Sequence, residues 1–380
     1  MRLLTSLDFV TVDVDKHRLI VYSEKPLEVL SSAVHNGGFT KVNKIVSIHV
    51  PEHNEENCNR NEEDLDKELH ENPENILQRA LMKLDSDTDN VVGIMTHADV
   101  RNVEISNQHN QDITVCALVT AGVEVAATAG ELTISKLNSL KIDTVGTINV
   151  ILLVDGNLTQ SCMVDAVKTI VEAKTVALRE LDIRSCFSGD LASGTVTDSV
   201  VVACSNRGKP LKYAGTATVL GELVGKAVKE ALKKTLYNEQ KIVPTRSLAK
   251  RLEERRISLK KAISVFLEAH PNIAEKFEQF NDELRQALSD PKLAPIIIAG
   301  LRIDDDIKTG LIPNDVLNHS LILKTFQNAL ISSLDNKMSE NLEFDDGPLT
   351  VVENLGPFVR IILVALMNNI YLNLCNKNLQ

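Results

Sequence analysis

The sequence predicts an α+β or mixed α/β sheet domain followed by an all-α C-terminal domain. Short runs rich in Val, Ile and Thr recur before residue 240, as expected of buried or half-buried strands. After Pro244 the strand signals almost vanish, and apolar residues recur at helical spacing. A chain of 380 residues is also long for a single core. We therefore predict two domains, residues 1–240 and 241–380.

Strands are expected where short apolar or alternating runs lie between turn residues. The predicted strands are 9–14, 18–22, 27–34, 44–50, 91–95, 113–120, 147–154 and 199–204. The runs 113–120 and 147–154 are almost continuously apolar, which is typical of central strands buried on both faces.

Two amphipathic helices, 163–181 and 219–236, are predicted among these strands. Thr159 or Ser161 is expected to cap the first helix, and Thr216 or Thr218 the second. In the second helix, Gly221 and Gly225 lie one turn apart, so a strand or loop could approach closely there. The acidic segment 52–90 indicates a solvated loop followed by a short helix, 73–84.

The second domain shows mainly helical periodicity. Its predicted helices are 247–256, 259–269, 271–288, 291–299, 321–334 and 358–372. The apolar run 361–367 is far shorter than the ~20 residues that a membrane span needs, so we expect a buried helix and no span.

Composition excludes several classes of function. The net charge of −11, with 3% aromatic residues and no Trp, argues against a nucleic-acid partner. The six cysteines form no C-x-x-C pair, so neither a zinc site nor a disulfide framework is expected, and free thiols in a reducing cytoplasm are favoured. Met1 is not followed by an apolar run, so we expect no signal peptide.

Polar residues and glycines recur where the predicted strands begin or end, and loops at sheet ends commonly bind ligands. The candidates at these ends are Asn36, Gly37, Gly38, Thr96, Asp99, Thr147, Asn149, Asp155, Thr197, Asp198, Tyr213 and Thr216. Lys174 falls on the apolar stripe of its helix, which is unusual for lysine, and Glu172 stands beside it in the sequence. Structural alternatives remain open: the two glycines suit a simple turn, Asp198 a turn cap, and Glu172 a surface pair with Lys168.

These residues stand in seven motifs. They are Asn36-Gly37-Gly38, Met95-Thr96-x-Ala98-Asp99-Val100, Gly146-Thr147-Ile148-Asn149 with Asp155, Glu172-Ala173-Lys174-Thr175, Thr197-Asp198, Tyr213-Ala214-Gly215-Thr216 and Leu220-Gly221-Glu222-Leu223. In order and spacing they resemble the adenosylcobinamide amidohydrolases, over roughly residues 1–235. Family members commonly have Ala where this chain has His97, Gly where it has Val196, and a shorter segment in place of 52–90.

The resemblance implies hydrolysis of the amide that joins the aminopropanol arm to the corrin ring of adenosylcobinamide. The implied products are adenosylcobyric acid and 1-amino-2-propanol, in corrinoid salvage by archaea and some bacteria. It implies an adenosylated corrinoid as substrate, and nothing in the sequence requires a cofactor. A non-catalytic corrinoid-binding or regulatory protein is the alternative.

Amide hydrolysis needs an activated water or nucleophile, an oxyanion stabiliser and a proton donor. The sequence contains neither a G-x-S-x-G elbow nor an H-E-x-x-H pair. Asp99, Glu172 and Asp198 are therefore candidate bases, and Lys174 is a candidate acid or charge. Two sets of oxyanion donors are possible: Asn36 with its glycines, or Thr147 with Asn149. The other candidates are assigned to substrate binding: Thr96, Asp155, Thr197, Tyr213 and Thr216.

The C-terminal half has a second resemblance. Residues 296–302 and 310–313 are similar to the phosphatase half of archaeal bifunctional enzymes that pair this amidohydrolase with an α-ribazole-5′-phosphate phosphatase, itself similar to phosphatidylglycerophosphatase A. Val352 replaces the Asp of an Asp-Glu pair in that family, whereas Glu353 is kept. Asp304, Asp305 and Glu353 are the predicted Mg²⁺ ligands, since hard cations prefer carboxylate oxygens. A solvated acidic turn or a helical docking domain is the alternative.

Overall fold

The computed structural model describes residues 2–3, 5–50, 72–84, 87–131, 146–313, 325–326, 328 and 347–377. The chain separates into two compact units, which we call the sheet unit (residues 1–185 and 191–244) and the helical unit (residues 186–190 and 245–380). The predicted fold class is confirmed, because a mixed sheet with helices is followed by helices alone. The assignment of a separate function to each part stays a prediction.

The sheet unit contains thirteen strands among the described residues. They are β1 Arg2–Leu3, β2 Thr11–Val14, β3 Arg18–Ser31, β4 Gly38–His49, β5 Val91–Thr96, β6 Glu104–His109, β7 Thr114–Ala121, β8 Ala126–Ala127, β9 Ile148–Asp155, β10 Asn157–Leu158, β11 Gly194–Thr195, β12 Ser199–Cys204 and β13 Pro210–Leu211. Nine of them form the main sheet in the order β1-β2-β3-β12-β9-β7-β6, with β4 paired to both β3 and β5.

The directions in which the strands pair decide which strand ends lie together. β9 and β12 run parallel, with Asn149 opposite Ser199. β7 runs antiparallel to β9 on its other side and places Thr120 opposite Asn149. The starts of β9 and β12 and the end of β7 therefore share one edge of the sheet, which is the edge where the candidate site lies.

Most predicted strands are confirmed, and two predictions need correction. Residues 18–22 and 27–34 were predicted as separate strands, but residues 18–31 form the single strand β3, with a register shift between Tyr22 and Leu27, and residues 32–34 lie beyond its end. β4 begins at Gly38 rather than at residue 44. The first half of β4 and all of β6 have mixed polar sequences, so they are specified by cross-strand pairing rather than by an apolar pattern.

Three α-helices lie in the described part of the sheet unit: α1 Pro73–Leu84, α2 Gln160–Glu180 and α3 Val219–Gln240. The Thr159 hydroxyl caps α2 by accepting the Cys162 N–H at 3.2 Å, and Thr218 caps α3 by accepting the Gly221 N–H at 3.0 Å. α2 and α3 pack on one face of the sheet, which we call the helix face. The opposite face packs on a second apolar cluster that includes residues of β2, β3, β4 and β5, and we call it the inner face.

The helical unit is built from five α-helices among its described residues. They are α4 Leu248–Glu254, α5 Leu259–Glu268, α6 Phe277–Ala287, α7 Ala294–Lys308 and α8 Pro357–Lys377. The predicted helix 271–288 is a 3-10 turn, Pro271–Lys276, followed by α6. α7 continues well past residue 299, so the Asp304–Asp306 run is helical, and the acidic turn that was the alternative to a metal site is wrong. Most of the predicted helix 321–334 and of the acidic loop after residue 50 lies outside the described residues.

Helix α8 is longer than its most apolar run suggested. By length and composition, Pro357–Cys375 could cross a membrane. Its apolar side chains, among them Val359, Ile362 and Leu366, are buried in the core of the helical unit. A helix that is buried in a protein core is expected to be this hydrophobic.

Candidate active site

A charged pair lies at the sheet edge where β9 and β12 begin. Lys174, on the sheet-facing side of α2, donates a hydrogen bond to Asp198 Oδ2. The two side chains are only 10% and 14% exposed. The Ile148 N–H donates to Asp198 Oδ1 at 3.1 Å, so the start of β9 also holds the carboxylate. This pairing explains why a lysine stands on the apolar stripe of its helix, since a nearly buried charge requires a partner.

Three threonine hydroxyls lie at the same end of the sheet as this pair, and one of them contacts it. Thr195 donates to Asp198 through its hydroxyl and through its backbone N–H, the latter at 3.1 Å. The Thr197 hydroxyl donates to the Gly146 carbonyl at 3.1 Å and lies 2.7 Å from the Thr147 hydroxyl. Because each hydroxyl carries one proton, Thr147 is the donor to Thr197. The predicted residues thus form two contacts at one end of the sheet, Thr147 with Thr197 and Lys174 with Asp198.

Two residues of this cluster were not among the predicted site residues. Thr195 is in direct contact with Asp198, and its spacing three residues before a carboxylate was the available signal. At Gly194, a Cβ atom would lie 2.3 Å from Asp198 Oδ2 and 2.7 Å from Lys174 Nζ. Glycine therefore provides the space in which the charged pair forms.

Asn149 and Thr96 lie near the same edge of the sheet. The Asn149 amide donates to the Met95 carbonyl at 2.7 Å, which brings the end of β5 to the start of β9. Thr96 is fully buried, and its hydroxyl oxygen accepts the Ala98 N–H at 3.1 Å. Asn149 is therefore placed with the cluster, whereas the Thr96 oxygen stabilises the turn that follows β5.

The Asn36 turn is placed differently from the expectation. Its amide donates to the carbonyls of Thr88, Asp89 and Val91 at 3.3, 3.2 and 2.8 Å, so it fixes the start of β5. Asn36 therefore contacts β5 at Val91, whereas Asn149 contacts it at Met95. Four residues of extended strand, roughly 13 Å, separate the two contacts. Gly37 and Gly38 serve this turn: a Cβ at Gly37 would meet the Ala33 carbonyl at 2.3 Å, and Gly38 has a φ of +85°.

Asp155, Tyr213 and Thr216 lie towards the other end of the sheet. Asp155 ends β9, roughly 23 Å of strand from Ile148. Its Oδ1 accepts the Ser205 hydroxyl at 2.6 Å. Tyr213, 70% exposed, and Thr216 follow β13, which pairs with β10 just beyond the end of β9. The structure does not bring these three residues to the charged pair.

The surface near Asp155 carries a shallow depression of about 210 Å³. Arg207 lines it, lies over the Phe9 ring at 5.5 Å, and pairs with Asp8 at 2.6 Å. The depression is open to solvent, and Asp155 reaches it only through Ser205 and Arg207. A ligand bound there would lie at the opposite end of the sheet from the charged pair.

The two other predicted bases, Asp99 and Glu172, are not placed at the charged pair. Asp99 accepts the Arg101 Nε–H at 2.9 Å with each carboxylate oxygen. This hydrogen bonding lowers the pKa of Asp99 below its ordinary value, which weakens it as a base. Glu172 is exposed and lies two residues from Lys174, so it faces the other side of α2. Their catalytic roles stay predictions.

The predicted metal ligands of the helical unit do not converge. Asp304 accepts the N–H groups of Phe358 and Val359 at 3.0 and 2.9 Å and so caps α8. Asp305 pairs with Arg255 at 3.3 Å, and Glu353 is 86% exposed and lies 3.8 Å from Lys261. In the described part of the chain, no group of three or more His, Cys, Asp or Glu side chains could hold a metal ion. These carboxylates therefore do not fit a shared Mg²⁺ ion.

Asp304 is expected to make the stability of the helical unit depend on pH. Burial raises its pKa to about 6 from 3.8, although the two N–H groups and Arg360 oppose the shift and Asp305 adds to it. Because the folded pKa is the higher one, the contribution of Asp304 to stability is greatest below about pH 4, falls as pH rises towards 6, and is then constant. Asp304→Asn removes this dependence.

Between pH 4 and 7, the stability of Asp304→Asn relative to the unmodified protein should rise by up to roughly 3 kcal/mol. Hydrogen exchange of the α8 amides at several pH values measures this difference. A difference that stays constant over this range would contradict the expectation.

The N-terminal part of this chain resembles known proteins. The family model for adenosylcobinamide amidohydrolase matches residues 2–244. An uncharacterised protein of Methanocaldococcus jannaschii is 31% identical over 178 residues, which cover 43% of this chain and 69% of that protein. An adenosylcobinamide amidohydrolase of Methanosarcina mazei is 36% identical over 97 residues, 23% of this chain and 45% of that enzyme.

The match to a solved structure is weaker. The crystal structure of a Pyrococcus horikoshii protein matches with a TM-score of 0.32 and 10% identity, over 59% of this chain and 78% of that one. A TM-score this low does not indicate a shared fold.

Proposed function

The chain belongs to the adenosylcobinamide amidohydrolase family, and from this premise we propose that its sheet unit hydrolyses the aminopropanol amide of adenosylcobinamide. Family membership implies an amidohydrolase, and the specific substrate and bond are our proposal. The products would be adenosylcobyric acid and 1-amino-2-propanol, as in corrinoid salvage.

The observation that carries the proposal is the nearly buried Lys174–Asp198 pair, to which the Thr195 hydroxyl is bonded. Hydrolysis of an amide develops negative charge on the carbonyl oxygen, and a fixed positive charge in a poorly solvated site stabilises that charge strongly. Lys174 is such a charge, because it is nearly buried and held by Asp198. We assign Lys174 to the developing oxyanion.

Asp198 acts as a positioning residue in this proposal. Its oxygens already accept donors from Lys174, Thr195 and the Ile148 backbone, so it holds the lysine and the threonine in place. The Thr195 hydroxyl is bonded to Asp198, and the hydroxyls of Thr147 and Thr197 lie at the same end of the sheet. We assign these hydroxyls to orienting the amide and the attacking water. Amide hydrolysis requires this kind of pre-arranged geometry.

Purified protein is expected to release 1-amino-2-propanol from adenosylcobinamide, with adenosylcobyric acid formed in equal amount. Mass spectrometry of both products over time measures the reaction. The alternative, a corrinoid-binding or regulatory protein, predicts tight binding without product. If the protein binds adenosylcobinamide but releases no amine, even with protein in excess and long incubation, the proposed activity is refuted.

For the helical unit, the phosphatase activity predicted from the sequence remains a proposal. A depression of about 300 Å³ lies beside the start of α8 and is lined by two cations and three carboxylates: Arg255, Lys308, Asp190, Asp304 and Asp305. Arg255 pairs with Asp305 and Lys308 with Asp190, so both cations already have carboxylate partners. The three carboxylates that would hold Mg²⁺ are also engaged separately. A helical docking domain therefore remains the competing proposal for this unit.

A further inference from the structure

The depression beside the start of α8 has a mainly apolar wall. Ile257, Leu301, Val352, Leu355 and Val359 line it, and each is at most 5% exposed. Its volume of about 300 Å³ is at the lower end of the range for small-molecule sites. Such sites combine an apolar wall with a few placed polar groups, so the polar groups of this depression indicate what it binds.

The two cations on the described lining, Arg255 and Lys308, are both neutralised by carboxylates. Arg255 pairs with Asp305 at 3.3 Å, and Lys308 pairs with Asp190 at 2.7 Å. Asp304 is a third carboxylate on this lining, so carboxylates outnumber cations. A phosphate group would compete with the carboxylates for both cations and would be repelled by all three of them.

The start of α8 is also occupied by a carboxylate. The N–H groups at the start of a helix commonly bind phosphate, but here Asp304 accepts those of Phe358 and Val359 at 3.0 and 2.9 Å. A Cβ at Gly356 would lie 2.3 Å from Asp304 Cγ, so glycine at this position lets the carboxylate approach the helix start. The protein's own side chain therefore takes the place of an anion.

The ligand that matches this lining is uncharged. Each of the three carboxylates already has a cation or backbone N–H groups as partners, so a second cation gains little there and would lose its hydration against the apolar wall. Carboxylate oxygens have several acceptor positions and no proton to donate. They therefore suit hydroxyl groups, while the apolar wall suits an apolar body.

We propose that this depression binds an uncharged molecule with an apolar body and hydroxyl groups, and that it excludes phosphate esters and Mg²⁺. The hydroxyl groups donate to the carboxylate oxygens, and the apolar body packs on Leu301, Val352 and Leu355. This site is separate from the amide hydrolysis proposed for the sheet unit. It also decides between the two proposals for the helical unit, because it leaves no place for phosphatase chemistry at this depression.

The test uses α-ribazole and α-ribazole-5′-phosphate as probes, since they differ only in the phosphate that a phosphatase would remove. α-Ribazole is uncharged at neutral pH and carries an apolar ring system and hydroxyl groups. In calorimetric titrations of the full chain, it should bind at least about tenfold more tightly than its phosphate, and Mg²⁺ should change neither affinity. No binding of α-ribazole, tighter binding of the phosphate, or release of phosphate with Mg²⁺ would overturn the inference.

Ile307→Trp tests whether the probe occupies this depression. Ile307 is partly exposed and lines the depression from α7, so an indole ring in its place should fill the space and lower the affinity for α-ribazole by about tenfold. Ile298→Trp is the matched control on the same helix, because Ile298 is 44% exposed and does not line the depression. Equal affinities of the two variants would place the bound probe elsewhere and contradict the assignment.

Asp190→Asn tests the exclusion of phosphate independently of Ile307→Trp. Asp190 and Lys308 are 46% and 52% exposed, so this variant is expected to fold. Lys308 then loses its carboxylate partner, and α-ribazole-5′-phosphate should bind about threefold more tightly, while the affinity for α-ribazole stays the same. An unchanged affinity for the phosphate would show that the paired charges do not exclude it, and the inference would fail.

Discussion

Lys174→Met is expected to lower kcat/KM for the aminopropanol amide by about 10²–10³-fold, the usual effect of removing one oxyanion-stabilising group. Methionine has similar length and fits the apolar stripe of α2, but it carries no charge. The developing negative charge on the amide oxygen then loses its partner. Steady-state kinetics with adenosylcobinamide measures the loss.

Lys168→Met provides the matched control on the same helix. Lys168 is 57% exposed and pairs with Asp165 near the start of α2, so its removal should change kcat/KM by less than about twofold. A folded Lys174→Met protein that retains more than a tenth of the activity would rule out the assigned role. If that variant fails to fold, Lys174→Arg keeps the charge but changes its geometry, and unimpaired kinetics would again contradict the assignment.

Gly221→Ala is expected to lower the free energy of unfolding of the sheet unit by more than about 4 kcal/mol. A Cβ at this position would lie 2.0 Å from the Gly215 carbonyl oxygen and 2.6 Å from its carbon. These are backbone atoms of the turn that leads into α3, so no side-chain rotation relieves the clash. Chemical denaturation followed by circular dichroism measures the change.

Gly225→Ala, one turn further along α3, is expected to have the opposite effect. Nothing lies within 4 Å of a Cβ built there. Alanine is the better helix former by up to about 1 kcal/mol, so this variant should be as stable as the unmodified protein or more stable. Equal destabilisation by the two substitutions would show that the turn does not approach α3 at Gly221.

The two glycines show how much of the packing of α3 could be predicted from the sequence. Their spacing predicted a close approach of another segment to α3, and the structure shows that approach at Gly221 alone. A helical sequence places both residues on one face, but the position of the facing turn depends on contacts with α2, such as the Thr169 hydroxyl donating to the Ala214 carbonyl at 2.7 Å.

The candidate site shows the same division. Thr147, Asn149 and Asp198 were predicted together, and parallel pairing of β9 with β12 brings them together. Asn36 and Asp155 carry the same chemistry at strand ends, but one fixes the start of β5 and the other lies at the far end of β9. Thr195 was not predicted as a site residue, because residue type alone does not show that the turn between β11 and β12 brings its hydroxyl onto Asp198.

The sequence by itself determined the fold class, the central strands β7, β9 and β12, the helices α1 to α3 and, through its motifs, the family. These features depend on periodicity and residue type within about a dozen neighbouring residues, which a single chain displays directly. Only the tertiary structure decided which strand ends meet, which face each side chain occupies and which charged groups are paired. Strand order and register are set by pairing between distant segments, and a shift of one residue would reverse every side chain on a strand.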